Sequence, residues 1–261
     1  MPGQVHVVKE PPLGWIVFDH PERRNALSVG MWEAMPGVAA SLASDPAIRV
    51  VILRGAGETA FVSGADISQF EQLRSGVLGA GAYEELTDRA FRALADLELP
   101  VLAMIHGFCI GGGLAVALTA DLRIAAEDAL LGIPAARLGL GYGMDGIQKL
   151  VSLVGPSRAK EVLFTARRFG AADALRMGLL NQVVPKDQLE ARLRETALEI
   201  AANAPLTLRS VKRVVRALGQ DPGHRDVAGA EASIRACFES EDYREGVRAF
   251  LEKRPPRFEG R

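Results

Sequence analysis

Two short loops in this 261-residue sequence carry residue types suited to holding a carbonyl oxygen. Residues 61–67 read Phe-Val-Ser-Gly-Ala-Asp-Ile and end a strand-like run; residues 105–114 finish on Gly111, Gly112 and Gly113, at the expected start of a buried helix. The first turn of a helix leaves backbone N–H groups unpaired, and its dipole makes that end partially positive. Glycines there let a ligand oxygen approach without a Cβ in the way. Two such amides aimed at one carbonyl form an oxyanion hole, and removing one donor from such a site costs roughly 3–4 kcal/mol. Three glycines alone would serve equally well for close packing of strand on helix. Their pairing with Ser63, Gly64, Ala65 and Asp66 points instead to chemistry.

Other chemistries find less support. Cys109 and Cys237 are far apart and lack metal-ligand spacing, so neither a disulfide framework nor a zinc site is expected, and a reducing cytoplasm suits them. The four histidines are scattered, and no metal site is expected. Lys+Arg (31) and Asp+Glu (32) nearly cancel with no basic tract, which argues against nucleic-acid or anionic-membrane partners. Residues 141–146 satisfy G-x-G-x-x-G, but no strong strand precedes them and no acidic residue follows at a second strand's end, so a dinucleotide site is rejected. A G-x-S-x-G nucleophile elbow does not occur. No secretory signal is expected, because no charged segment followed by an apolar one opens the sequence. Residues 99–120 have the length of a membrane span, yet Gly107 and the triple glycine break them into strand, turn and helix.

The elements that must position the two loops alternate between strand and helix. Residues 15–19, 49–54, 101–105 and 121–125 read as strands, the second a β-branched run of the kind buried on both faces of a parallel sheet. Ser28 is a suitable N-cap for a helix to about Leu42, and residues 83–97 have helical spacing. Residues 71–81, with three glycines, read as a loop, and 107–111 as a turn. Beyond Pro185 four amphipathic helices follow, over residues 187–202, 205–218, 225–239 and 242–253. An α/β unit with a helical appendage suited to oligomerisation is the expected organisation, divided into 1–186 and 187–261.

Residues 61–67 and 105–129, followed by 133–143, 170–185 and 249–258, resemble the signature segments of the crotonase (enoyl-CoA hydratase/isomerase) superfamily, in order and over nearly the whole chain. The resemblance implies a spiral of ββα repeats, a helical C-terminal trimerisation region, and a homotrimer or a hexamer made of two trimers. It implies an acyl-CoA thioester as substrate, its carbonyl held by the amides of Ala65 and Gly112, with coenzyme A part of the substrate and no separate cofactor. On the CoA side it implies Arg24, Ala26, Ala65, Asp66 and Ile67, with Phe250 and Lys253 from the tail.

The sequence departs from the hydratases of that family at the acid–base pair. Ala115 and Ala135 stand where the resemblance calls for glutamates. An alanine neither takes nor gives a proton, which favours non-hydratase chemistry such as decarboxylation or thioester hydrolysis. Residues 138–147 and 240–254 resemble the methylmalonyl-CoA decarboxylase branch, which has a tyrosine matching Tyr142 but a histidine where this sequence has Ala65. Tyr142 and Asp145 are therefore the candidate proton-handling side chains. A hydratase or isomerase recruiting Asp145, and an acyl-CoA-binding protein without catalysis, are the alternatives.

Overall fold

The computed structural model describes residues 3–66 and 76–261. Strands β1 (Gln4–Glu10) and β2 (Leu13–Asp19) form an antiparallel hairpin. Helix α1 (Val29–Ala43) leads to β3 (Val50–Gly55) and β4 (Ala60–Val62). Helix α2 (Gly76–Ala95) is followed by β5 (Val101–Ile105), β6 (Phe108–Ile110) and α3 (Gly112–Ala117). Next come β7 (Leu122–Ala126), β8 (Leu130–Gly132), a 3-10 turn (Ala135–Leu138) and α4 (Met144–Thr165). Strand β9 (Phe169–Gly170), helix α5 (Ala171–Arg176) and strand β10 (Gln182–Val184) complete the mixed part. Four helices remain: α6 (Leu189–Ala201), α7 (Pro205–Leu218), α8 (Val227–Glu239) and α9 (Glu241–Leu251).

The described residues form two sheets, a six-stranded one ordered β1-β2-β3-β5-β7-β10 and a four-stranded one ordered β4-β6-β8-β9. The pairs β3/β4, β5/β6 and β7/β8 each give one strand to either sheet before the chain turns through a helix, so the fold is a spiral of ββα repeats. In β3 the side chains alternate between two cores: Val51 and Leu53 join one, Val50 and Ile52 the other. Burial on both faces explains the β-branched run. Helix α6 covers the second face with Leu189, Leu193, Ala197 and Ala201, one residue per turn. Helix α1 starts where Ser28 Oγ accepts the Met31 N–H, and turns Met31, Trp32, Met35, Ala39 and Leu42 inward.

Two local expectations are corrected. Residues 108–110 form strand β6 rather than part of a turn, paired in parallel with both β4 and β8. Gly107, at φ +53, makes this possible, since a Cβ there would lie 1.9 Å from the Thr59 carbonyl oxygen. The loop expected over 71–81 is helical from Gly76 onward, while 71–75 lie outside the described residues. Burial of Tyr83, Ala90 and Leu94 along α2 outweighs the low helix propensity of its glycines. Among the described residues no helix is long and apolar enough to cross a membrane.

The tail beyond α9 is fastened by carboxylates. Asp242 accepts the N–H groups of Glu259 (2.7 Å) and Gly260 (2.8 Å), and Glu245 accepts that of Arg257 (3.0 Å).

Candidate active site

The Ala65 loop is held by the turn before α1. Ser63 N–H donates to the Arg24 carbonyl (3.1 Å), Leu27 N–H to Gly64 (2.8 Å), and Asp66 N–H to Leu27 (2.9 Å). These bonds use the amides on both sides of Ala65 and leave its own N–H without an acceptor among the described residues. Gly64, at φ +123, supplies the bend. Across from it, Gly111 at φ +55 caps α3 and donates to the Gly132 carbonyl at 2.8 Å. Gly112 is the first helical residue, and its N–H also has no acceptor among the described residues.

The two loops meet. A Cβ built on Gly112 would lie 3.5 Å from the Ala65 nitrogen and 3.5 Å from Trp32 Cζ2. Trp32 forms the floor, its Nε1–H donating to the Tyr83 hydroxyl at 3.1 Å and its ring meeting Phe91 edge-on at 5.2 Å. Nothing in the type or spacing of Trp32 marks it in the sequence as part of the site. Gly111, Gly112 and Ala115 remain partly open, whereas Gly113, Leu114, Val116 and Ala117 are buried. Gly112 and Ala115, three apart, share the helix face toward the opening. A carbonyl oxygen seated between the two free amides would meet two donors and a helix N-terminus.

Both alanines of interest are close chain neighbours of residues at this seat. Ala115 follows Gly112 by one turn, and Ala135 follows Pro134, whose Cδ lies 3.9 Å from a Cβ built on Gly111. Tyr142 comes next on that segment and packs its ring over Gly146, where a Cβ would lie 2.7 Å from Tyr142 Cε1. The Tyr142 hydroxyl is buried and has no hydrogen-bond partner among the described residues. Burial pushes it up to about 12, with the nearby Cys109 thiol adding to the effect, so it stays protonated through neutral pH. Cys109 is fully buried, and burial pushes its thiol far above the usual range, which removes it as a nucleophile. Asp145 is exposed on the first turn of α4, one turn before Lys149. Burial lowers the Lys149 ammonium, and the Asp145 carboxylate opposes that shift.

On the CoA side, Arg24 lies at φ +53 with its guanidinium over the Phe108 ring, and Ala26 is buried beside it. Asp66 continues the Ala65 loop, while Ile67 lies outside the described residues. Phe250 and Lys253 are in a different part of the chain. Phe250 is 83% exposed and lines a cavity of about 720 Å³ formed by α7, α8, α9 and Phe258, which includes no residue of the Ala65 or Gly112 loops. Among the described residues, no group of three or more His, Cys, Asp or Glu side chains converges as a metal site.

The Enoyl-CoA hydratase/isomerase family profile matches residues 10–261. The chain belongs to that family. It is 35% identical over 252 residues to the short-chain-enoyl-CoA hydratase of Clostridium acetobutylicum, covering 97% of this chain and 96% of that one. It is 33% identical over 267 residues to the carnitinyl-CoA dehydratase of Salmonella enteritidis, covering all of both. An enoyl-CoA hydratase/isomerase family protein from Hyphomonas neptunium superposes with a TM-score of 0.93 at 39% identity, over 98% of each chain. The ββα spiral is therefore the crotonase fold, and this enoyl-CoA hydratase/isomerase family member is an enzyme of the crotonase superfamily.

Proposed function

We infer that this enzyme polarises the carbonyl of an acyl-CoA thioester between the Ala65 and Gly112 amides and stabilises the enolate formed from it. The observation that carries this reading is the convergence of the two free amides, 3.5 Å from the Ala65 nitrogen to a Cβ position on Gly112, beside two alanines. Donors aimed at developing charge accelerate reaction rather than merely bind. With Ala115 and Ala135 unable to move protons, chemistry that needs enolate stabilisation and one proton fits best. In decarboxylation of a malonyl-type thioester, the electrons of the breaking carbon–carboxylate bond enter the carbonyl, carbon dioxide departs, and the α-carbon then takes one proton. Tyr142, protonated and lacking a partner, is suited to give it. Thioester hydrolysis is the related outcome in which water attacks the same polarised carbonyl, the carbon–sulfur bond breaks, and CoA leaves as the thiol while the acyl group leaves as a carboxylate.

A second reading, hydration or isomerisation with Asp145 as base, draws on the hydratase and dehydratase names of the relatives. The exposure of Asp145 and its position one turn from Lys149 favour it less. A panel of methylmalonyl-, ethylmalonyl- and crotonyl-CoA separates the cases. Carbon dioxide release from the malonyl-type esters is expected, with Tyr142→Phe slowing it at least about tenfold. Because that substitution removes a buried unpaired hydroxyl, thermal stability should hold or rise. Rapid crotonyl-CoA hydration that Asp145→Asn abolishes would establish the second reading. A chain that binds CoA esters and turns over none of them would be a binding protein.

Residues 1–186 carry the acyl-CoA site, and the helices of 187–261 supply the contacts between copies and a cover for CoA. Support comes from the apolar cavity around Phe250 and from exposed Val211, Val215 and Leu218 along one face of α7. A homotrimer or a dimer of trimers in the cytoplasm, without resident cofactor or metal, is the assembly proposed. Light scattering should give three or six chain masses; a monomer would sink the assignment.

A further inference from the structure

Strand β6 carries a ring attended by two cations. The Arg24 guanidinium carbon lies 4.7 Å from the Phe108 ring centroid, and that of Arg168 lies 5.4 Å from it. Both side chains are exposed, and among the described residues neither meets a carboxylate. The neighbouring Arg167, by contrast, is paired with Glu161 at 2.5 Å. Like charges held around one ring repel each other, and an anion shared between them relieves that repulsion.

Each cation is tied to one of the two loops of the candidate site. Arg24 accepts the Ser63 N–H at its carbonyl (3.1 Å), so its backbone moves with the Ala65 loop. Arg168 lies against Gly132, where a Cβ would come within 2.7 Å of the Arg167 carbonyl oxygen and 3.5 Å of the Arg168 Cα. Gly132 in turn accepts the Gly111 N–H at 2.8 Å, next to Gly112. Phe108 precedes Gly112 by four residues, a separation on the order of 10 Å along an extended strand. A CoA thioester seated between the amides would bring its phosphates to the two guanidiniums with its pantetheine arm folded back toward Arg24.

We propose that Arg168 pairs with Arg24 over Phe108 as an anion clamp, holding a phosphate at the nucleotide end of the thioester substrate. This rests on the acyl-CoA reading above. Guanidinium forks match phosphate oxygens in bidentate fashion, and the ring beneath keeps both forks oriented. Arg168 is a positioning residue here: it acts on affinity and alignment and does not touch the reacting atoms.

Calorimetric binding of CoA and of inorganic phosphate, with kinetics on a CoA thioester and its pantetheine counterpart, tests the clamp in wild type, Arg168→Gln and Arg168→Lys. Arg168→Gln should weaken CoA binding about tenfold, and Arg168→Lys by less. The CoA thioester KM should rise in parallel while kcat, and all constants for the pantetheine thioester, stay within about twofold. The wild-type affinity for CoA should fall with added salt more steeply than that of Arg168→Gln. Unchanged CoA affinity in Arg168→Gln would overturn the clamp, as would equal losses on the CoA and pantetheine substrates. A loss confined to inorganic phosphate, with CoA unaffected, would overturn it in favour of a free-phosphate site. If the wild type itself bound no CoA, the acyl-CoA reading would fall first, which separates the two failures.

Discussion

Gly112→Ala should keep its fold and lose its turnover. The added methyl would sit 3.5 Å from both the Ala65 nitrogen and Trp32 Cζ2, ordinary contact distances, so nothing in the protein has to move. Gly112 is the first helical residue of α3 and does not need a left-handed backbone, and alanine is favoured in helices. The methyl nevertheless occupies the space between the two donors. A carbonyl oxygen displaced from that seat loses at least one of them, a loss worth about 10²–10³ in kcat. Thermal unfolding should therefore shift by only a few degrees, while turnover of the preferred thioester falls by roughly those two to three decades. The adjacent Gly113→Ala is the control for the opposite behaviour. Its Cβ would meet the Val62 carbonyl oxygen at 2.0 Å, so β4 and α3 must part, and overpacking of this kind costs about 1–3 kcal/mol or more. If Gly112→Ala keeps full activity, the donors at 65 and 112 do not polarise the substrate.

The second large effect is a gain. Ala115→Glu together with Ala135→Glu should raise crotonyl-CoA hydration from background by about two decades or more, the usual worth of positioned acid–base groups. Ala115 is partly open on the same helix face as Gly112, so a longer side chain has room to extend. Ala135 is buried beside Pro134, next to Gly111, and a glutamate there has to share the same opening. A lone carboxylate should recover less than the pair, since water must be activated and the α-carbon protonated by separate groups. The new charges raise the cost of burial unless they reach water or each other's proton, so a modest drop in melting temperature is expected. Stopped-flow hydration assays on the single and double variants decide the matter. Rapid hydration by the unmodified enzyme would show instead that this chain moves protons without those positions.

Sequence reasoning reached the strands and helices whose signals are local. The RVVILR run, the Ser28 cap and the four late helices all carry their periodicity or their stop signals within a few residues. It missed elements decided by distant partners. Strand β6 is three residues long between glycines, and only its ladders to β4 and β8 make it a strand. Helix α2 begins among glycines because its later residues bury themselves. Within Met144–Thr165 the chain leaves helical geometry at Gly155, φ +74, just before Pro156, so α4 is two helical pieces across a kink. At the candidate site, the two loops were legible because glycine clusters advertise close backbone approach. Trp32 was not, since a buried tryptophan on an amphipathic helix has the same pattern whether it packs a core or floors a pocket. The pinning of the tail by Asp242 and Glu245 was hidden for a related reason: an acidic residue on a helix gives no hint of which distant amides it will accept.

The fastening of the two amides has an evolutionary consequence. Ala65 is kept in place by backbone bonds that tie Ser63, Gly64 and Asp66 to Arg24 and Leu27, and Gly112 by the bond from Gly111 to Gly132. None of these involves the side chain at 115 or 135. Substitutions at those two positions therefore leave the backbone bonds that fasten the loops in place. On the proposed reading, a lineage built this way inherits its grip on the carbonyl as a fixed trait and its proton-moving side chains as a variable one.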